Sequence, residues 1–304
     1  MPDSKCGFVT IIGRPSVGKS TLLNKICGEK VAIVSKVPQT TRNAIRGIVN
    51  RKEGQLIFVD TPGRHSSEKK MNKKLMEVSA RSLTDSDLVL YVIDAQRAPG
   101  KEEEEIVSLL SALAEKTVVA VNKMDCAGAD LKRAKEFINL QFSSSVPEER
   151  IFPISANTGQ GIDDLFTALY SLAPQGQAVY NDEYYTDQQT EFRIAEVIRE
   201  QAINRLQQEL PHCLYVDIAD MEFKEEGSGK HGLQLWVRAF IIVERESQKG
   251  MVVGKGGEMI KAIRLGALKN LKRIFDWKID LDLRVKTGKD WRQKDHTLRR
   301  IIER

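Results

Sequence analysis

Cysteine is scarce in this chain of 304 residues, and long apolar runs are missing altogether. The four cysteines, Cys6, Cys27, Cys126 and Cys213, are widely spaced and form no C-x-x-C pair. That excludes a disulfide framework and a zinc knuckle, and it fits reduced thiols in a reducing compartment. No stretch approaches the roughly 20 apolar residues that a bilayer-spanning helix needs. The segment Met1-Pro2-Asp3-Ser4-Lys5 lacks the charged-then-apolar layout of an export signal. The expected location is therefore the cytoplasm. The four histidines are too scattered to suggest a metal site, and there is no internal repeat or low-complexity tract.

Charge is present but unevenly placed. The formal net charge is +5. From Lys249 to Arg304 there are 16 Lys and Arg against 7 Asp and Glu, a surplus of nine, so the rest of the chain carries a net −4. A basic C-terminal region on a slightly acidic body points to a polyanionic partner for that region.

The length favours two domains. Through the first 172 residues, short apolar runs at 7–12, 55–60, 87–94, 117–122 and 151–155 read as buried strands. Helical patterns at 19–27, 68–83, 101–115, 129–142 and 161–172 alternate with them. This order predicts an α/β domain over 1–174 with a doubly wound, mostly parallel sheet and ligands at the C-terminal strand ends. Residues 44–50 followed closely by 55–60 read as a hairpin that adds one antiparallel edge strand. Periodicity is lost over 175–190, which reads as a linker. Residues 191–304 predict a smaller α+β domain: a helix over 192–206, strands over 214–223 and 233–244 around a turn, a glycine-rich loop, a helix over 258–275 and a strand over 278–286.

The chemistry is concentrated in the first domain. Gly13-Arg14-Pro15-Ser16-Val17-Gly18-Lys19-Ser20 matches the phosphate-cradling pattern G-x-x-x-x-G-K-[ST], between an apolar strand and a helix that begins near Thr21. Its glycines let backbone N–H groups turn onto phosphate oxygens, Lys19 can reach the terminal phosphates, and the Ser20 hydroxyl can ligate Mg²⁺. Asp60-Thr61-Pro62-Gly63 ends a strand, where a carboxylate can hold Mg²⁺ through water and the Gly63 N–H can meet a γ-phosphate. Asn122-Lys123-Met124-Asp125 ends another: Asp125 can accept from guanine N1–H and its 2-amino group, Asn122 can bond the other base edge, and the Lys123 stem can cover the ring. Ser155-Ala156-Asn157 ends a fifth strand, and the Ala156 N–H can meet the guanine oxygen. In Pro38-Gln39-Thr40-Thr41-Arg42 a threonine can complete the Mg²⁺ shell. Thr41 is favoured and Thr40 is the alternative.

These five segments resemble the translation-factor-related GTPases, to which adjacent threonines followed by arginine are typical. The resemblance implies GTP and GDP binding, Mg²⁺, and hydrolysis to GDP and phosphate with Lys19, Thr41 and Gly63 as the groups nearest the chemistry. Two positions depart from the pattern. Ser16 stands where many relatives carry an asparagine that helps bind a catalytic K⁺, which puts a potassium requirement in question. Arg64 follows Gly63 where relatives have an apolar residue. No general base is visible, so slow intrinsic turnover is expected.

In the second domain Gly254-Lys255-Gly256-Gly257 forms the G-x-x-G by which KH domains clamp a nucleic-acid backbone. The pattern recurs at Gly229-Lys230-His231-Gly232, but only the first copy opens a helix. That helix is expected to bury Ile260, Ile263, Ala267, Leu268 and Leu271 and to show Lys261, Arg264, Lys269, Lys272 and Arg273, of which Lys261 and Arg264 join the loop in facing phosphates. Trp291, amid basic residues, is the better candidate for stacking on a base, and Trp236 the better candidate for the core. The order of elements resembles a bacterial type II KH domain. A GTPase domain followed by such a domain covers nearly the whole chain. It implies a monomeric switch that binds small-subunit (16S) ribosomal RNA near its 3′ end and acts in assembly of the 30S subunit, with weak peripheral membrane association alongside. A switch working at the inner membrane surface or on another RNA remains the alternative.

Overall fold

The computed structural model describes residues 4–38, 40–63, 70–142, 146–225 and 233–302. By contacts the chain divides into two units, Met1–Ala32 with Pro38–Asp187, and Ile33–Val37 with Gln188–Arg304.

The first unit runs β1 (Lys5–Ile12), α1 (Lys19–Cys27), β2 (Ile45–Arg51), β3 (Gly54–Asp60), α2 (Lys70–Thr84), β4 (Leu88–Asp94), α3 (Lys101–Leu110), β5 (Thr117–Asn122), α4 (Leu131–Gln141), β6 (Ile151–Pro153) and α5 (Ile162–Leu172). Its sheet has the order β2-β3-β1-β4-β5-β6, with β2 antiparallel to β3 and every other pairing parallel. Every residue of β4 and β5 is buried, which is why these segments read as continuous apolar runs instead of alternating ones. Ile12, Tyr91, Ile93, Val119 and Val121 pack with Ile106, Leu110 and Ile138 of α3 and α4 in one core layer. The register pairs Ile11 with Asp60, Ile12 with Tyr91 and Asp94 with Asn122. The loops that follow β1, β3, β4 and β5 therefore emerge at one edge, where ligands bind in open α/β sheets.

Much of the segment read from sequence as a linker is strapped to this unit. The backbone N–H of Gly176 donates to Ser4, and that of Ile48 on edge strand β2 donates to Tyr185. Buried Gln55 accepts from the N–H groups of Val179 and Tyr180 and donates to the Tyr180 carbonyl. Asp187 receives the Arg46 guanidinium at 2.7 Å and the Tyr180 hydroxyl at 3.0 Å. The strap occupies hydrogen-bonding groups that an open edge strand would leave exposed. Its polar, aperiodic composition is that of a linker because its bonds go to β2 and β3, not to a helix or strand of its own.

The second unit contains α6 (Thr190–Ile203), β7 (Leu214–Glu225), β8 (Leu233–Val243), α7 (Glu246–Val253), α8 (Glu258–Ile274), β9 (Lys278–Thr287) and α9 (Asp295–Ile302). β8 is central, antiparallel to β7 and parallel to β9. The core joins Ile194 and Ile198 of α6, Leu235, Val237 and Ile241 of β8, and Ile263, Ala267 and Leu271 of α8. Segment Ile33–Val37 joins this unit through Val34, whose N–H donates to the buried Glu200 at 2.9 Å and whose carbonyl accepts from Asn204. Two helices escape the sequence pattern. α7 has only Val252 buried and carries an internal Gly250, so it shows little periodicity. Its start is held by Gln248 Oε1, which accepts from the N–H groups of Glu244 and Arg245. α9 buries Leu298 and Ile302, an i, i+4 pair legible in hindsight within the basic tail. The second G-x-x-G, 229–232, lies outside the described residues.

Candidate nucleotide site and nucleic-acid loop

The phosphate loop begins where β1 runs out of apolar residues. A Cβ at Gly13 would sit 2.4 Å from the Val92 carbonyl oxygen, so the loop leaves the sheet in direct contact with β4. Ser16 (φ 66°) and Gly18 (φ 101°) adopt left-handed backbone, which turns successive N–H groups into a concave nest. α1 starts at Lys19, adding the positive end of its dipole. Lys19 is buried, and its Nζ donates to the carbonyls of Gly13 at 2.9 Å and Arg14 at 3.1 Å. Burial pushes the Lys19 amine down, and Asp60 opposes that shift. The side chain of Arg14, expected from sequence among the nucleotide contacts, turns inward to Glu103 instead, Nε to Oε1 at 2.7 Å. A buried carboxylate 89 positions away thus holds the side chain, and only the Arg14 backbone faces the phosphate loop's interior.

Three oxygens meet beside Lys19. Ser20 Oγ donates to Asp60 Oδ2 at 2.6 Å, Thr41 Oγ1 to the same atom at 3.2 Å, and the two hydroxyls stand 3.0 Å apart. Thr41, and not Thr40, takes this position. Asp60 is fully buried, and its other oxygen, Oδ1, has no hydrogen-bond partner among the described residues. Burial holds its carboxyl above the usual range, opposed by Lys19, Ser20 and Thr41 in that order. A buried carboxylate with a spare oxygen and two adjacent hydroxyls is a hard-oxygen set that fits Mg²⁺. Mg²⁺ bound there supplies charge neutralisation for phosphate oxygens. The loop after β3 is fixed to the same centre. Thr61 Oγ1 donates to the Ile11 carbonyl, Pro62 O accepts from Ser79, and a Cβ at Gly63 would lie 3.1 Å from the backbone N of Pro15. Arg64 and Gln39 lie outside the described residues.

The segments read as the base pocket also converge. Asn122 is buried, its Nδ2 donating to Val17 O at 2.8 Å and its Oδ1 accepting from Ala156 N–H at 2.9 Å. It therefore ties the phosphate loop to the Ser155-Ala156-Asn157 loop, a bracing role that sequence reasoning missed. The Ala156 N–H expected at the guanine oxygen is engaged in that brace. Lys123 has left-handed backbone (φ 70°) and its Nζ pairs with buried Asp94 at 2.7 Å. Asp125 is exposed to solvent. The Ser155 hydroxyl, and more weakly Asn157, hold its carboxyl below the ordinary range, so an anionic acceptor is presented at neutral pH.

In the second unit the loop Gly254–Gly257 lies between α7 and α8. Gly254, Gly256 and Gly257 all have positive φ, and a Cβ at Gly256 or Gly257 would meet nothing within 4 Å. Lys255 stands in the same open loop and Lys261 is exposed on α8. Arg264, grouped with them from sequence, is instead tied to β9: its Nε donates to Leu281 O at 2.5 Å and its Nη2 faces Asp280 at 3.4 Å. The tryptophan expectations reverse. Trp291 is almost fully buried, donates Nε1–H to Cys213 O and packs edge-on against Tyr215, so it belongs to the core. Trp236 is half-buried beneath Arg238 and Lys224. Trp236 shares the β8 face of Gln234 and Arg238, opposite the inward face of Leu235 and Val237.

Comparison with known proteins bears on both units. A family model described as a 50S ribosome-binding GTPase matches residues 8–123, and a KH domain model matches residues 209–292. GTPase Era of Treponema denticola is 52% identical over 297 residues, covering 97% of this chain and 98% of that protein. GTPase Era of Borreliella burgdorferi is 43% identical over 98% of this chain and 99% of its own length. Among solved structures, Era in complex with MgGDPNP and nucleotides 1506–1542 of 16S ribosomal RNA matches with a TM-score of 0.90 at 32% identity over 98% of each chain. A variant of Aquifex aeolicus Era bound to GDP.AlF4- matches with a TM-score of 0.89. With full-length relatives at this identity, and with both units matched, the chain belongs to the Era family of GTPases.

Proposed function

We propose that this chain is a GTP-hydrolysing switch that works in the cytoplasm, binds small-subunit ribosomal RNA near its 3′ end and acts in assembly of that subunit. The observation that carries the reading is the conjunction of both sites on one chain. Ser20, Thr41 and Asp60 form a Mg²⁺-fitting cluster in one unit, an open Gly254–Gly257 loop lies in the other, and a solved relative holds MgGDPNP and 16S RNA together. Lys19 neutralises the terminal phosphates, the Gly63 N–H reads the γ-phosphate, and Asp125 selects guanine. Asp60 is the only carboxylate in the phosphate-facing segments 13–20 and 60–63, and it serves the cation. Turnover without an activator is therefore slow. Single-turnover hydrolysis in KCl against NaCl decides whether a potassium ion takes part despite Ser16.

The test is crosslinking in cells followed by sequencing of the attached RNA, comparing the natural chain with Lys255→Asp/Gly256→Asp. Crosslinks concentrated at the 3′ end of small-subunit ribosomal RNA and lost in the variant are expected. Diffuse crosslinks indifferent to the substitution would overturn the RNA reading and return the second unit to a lipid or protein partner.

A further inference from the structure

One ionic pair in the first unit has no part in the site as described so far. Arg14 and Glu103 are both buried, with side chains 10% and 2% exposed, and their charged atoms meet at 2.7 Å. Arg14 is the second residue of the phosphate loop and Glu103 lies in the first turn of α3. The other carboxylate oxygen of Glu103 accepts from the Gly100 N–H at 3.1 Å, which anchors the acid to the start of its own helix. The Arg14 carbonyl, one peptide away from that anchored side chain, is one of the two acceptors that hold Lys19 Nζ.

Stability alone accounts poorly for this pair. Desolvating two charges costs several kcal/mol, and a buried pair recovers that only when its remaining polar atoms are satisfied. Here Arg14 Nε and Nη2 and Glu103 Oε1 are all buried without a hydrogen-bond partner, so the two side chains meet as a charge pair only, and the hydroxyl of Tyr91 on neighbouring β4 is unpartnered too. An apolar filling of the same volume would be no less stable. A close ion pair does what an apolar filling cannot: its attraction holds the Arg14 side chain inside the domain and so sets where the Arg14 peptide lies.

We propose that Glu103 is a positioning residue for the phosphate lysine, acting by holding the Arg14 side chain inside the domain so that the Gly13 and Arg14 carbonyls aim Lys19 Nζ along the phosphate loop. The proposal rests on the nucleotide-site reading above and adds to it a residue far along the chain, on a helix that touches no phosphate. It also explains why an arginine in a phosphate-binding loop faces away from the anion: its charge is spent on the loop's own geometry.

The experiment uses the full chain and a fluorescent GDP. Arg14→Met/Glu103→Met replaces the pair with apolar side chains, and Glu103→Gln keeps the shape while removing the charge. GDP affinity and release rate are measured for each, with thermal midpoints of the nucleotide-free proteins alongside, and the same substitutions are repeated on Lys19→Ala. GDP release about tenfold faster in the double variant, equivalent to ~1.4 kcal/mol, is expected, together with no further loss when Lys19 is already absent. Wild-type release from the double variant would overturn the proposal. So would an equal fold-loss with and without Lys19, because a merely structural pair acts independently of that amine. This cycle decides the matter whichever way the thermal midpoint moves. Unchanged GDP affinity in Lys19→Ala alone would instead fail the nucleotide-site reading, a distinguishable result.

Discussion

Two glycine–lysine loops in this chain solve opposite problems. The phosphate loop is walled in: a Cβ at Gly13 would reach the Val92 carbonyl, one at Gly18 would sit 2.5 Å from Asn122 Nδ2, and Lys19 is buried on backbone carbonyls. The Gly254–Gly257 loop has positive φ at three positions, yet Gly256 and Gly257 have empty space where a Cβ would go. The first loop is preorganised by residues drawn from β4, α3 and the end of β5. The second keeps its shape through local backbone conformation at the head of α8, leaving room for a ligand's backbone to approach. A pocket for a small, highly charged ligand needs its donors fixed before binding. A clamp on a polymer needs access more than enclosure.

The sharpest way to break the comparison is to add one methyl group to each loop. Gly13→Ala drives a Cβ into main-chain atoms that cannot move independently of the sheet. A loss of about 3 kcal/mol, the upper range for overpacking, is expected with loss of GDP binding. Chemical unfolding and a GDP titration check it. Gly256→Ala meets nothing and carries only the left-handed backbone penalty of about 1 kcal/mol. Its thermal midpoint should fall slightly while GDP binding stays intact. If the two substitutions destabilised the chain equally, the contrast between a braced loop and an open one would be lost.

A smaller effect sharpens the electrostatic side. Burial raises the Asp60 carboxyl above the ordinary aspartate range, so the folded state holds a proton that the unfolded chain releases. The nucleotide-free, Mg²⁺-free protein should therefore lose stability as pH rises from the ordinary aspartate value through the raised one. Mg²⁺ competes with that proton, so its stabilising effect should grow over the same interval. Thermal midpoints across that pH range, with and without Mg²⁺, check this. Asp60→Asn should flatten the Mg²⁺-free profile and remove the Mg²⁺ effect. The open loop has no buried ionisable group, and Gly256→Ala should leave the profile unchanged.

The amount legible in the sequence differs between the units for the same physical reason. In the first, strands buried on both faces announce themselves as apolar runs, and each motif falls at the C-terminal end of one. In the second, α7 packs through little more than Val252 and was invisible to periodicity. α9 hid within a basic tail whose charge drew attention away from Leu298 and Ile302. The basic neighbours of Trp291, Lys289, Arg292 and Lys294, suggest a nucleic-acid contact, whereas its indole is claimed by Cys213 and Tyr215. The segment over 175–190 is aperiodic in sequence, and nothing in that pattern announces its bonds to Ile48, Arg46 and Gln55.

By itself, then, the sequence determined the order of helices and strands in the first unit, the parallel sheet with its antiparallel edge, and the segments that make the phosphate loop and the glycine-rich loop. Those are properties of local spacing, and a chain reads its own spacing. Only the tertiary structure decided that Thr41 and not Thr40 joins Ser20 and Asp60, that Asn122 braces two loops, that Arg264 is bound to β9, and that Arg14 turns inward to Glu103. In each case the partner is distant in the chain, and for Thr41, Asn122 and Arg14 the decision is made by burial. A desolvated polar group must find its partner among whatever the fold brings within about 3 Å.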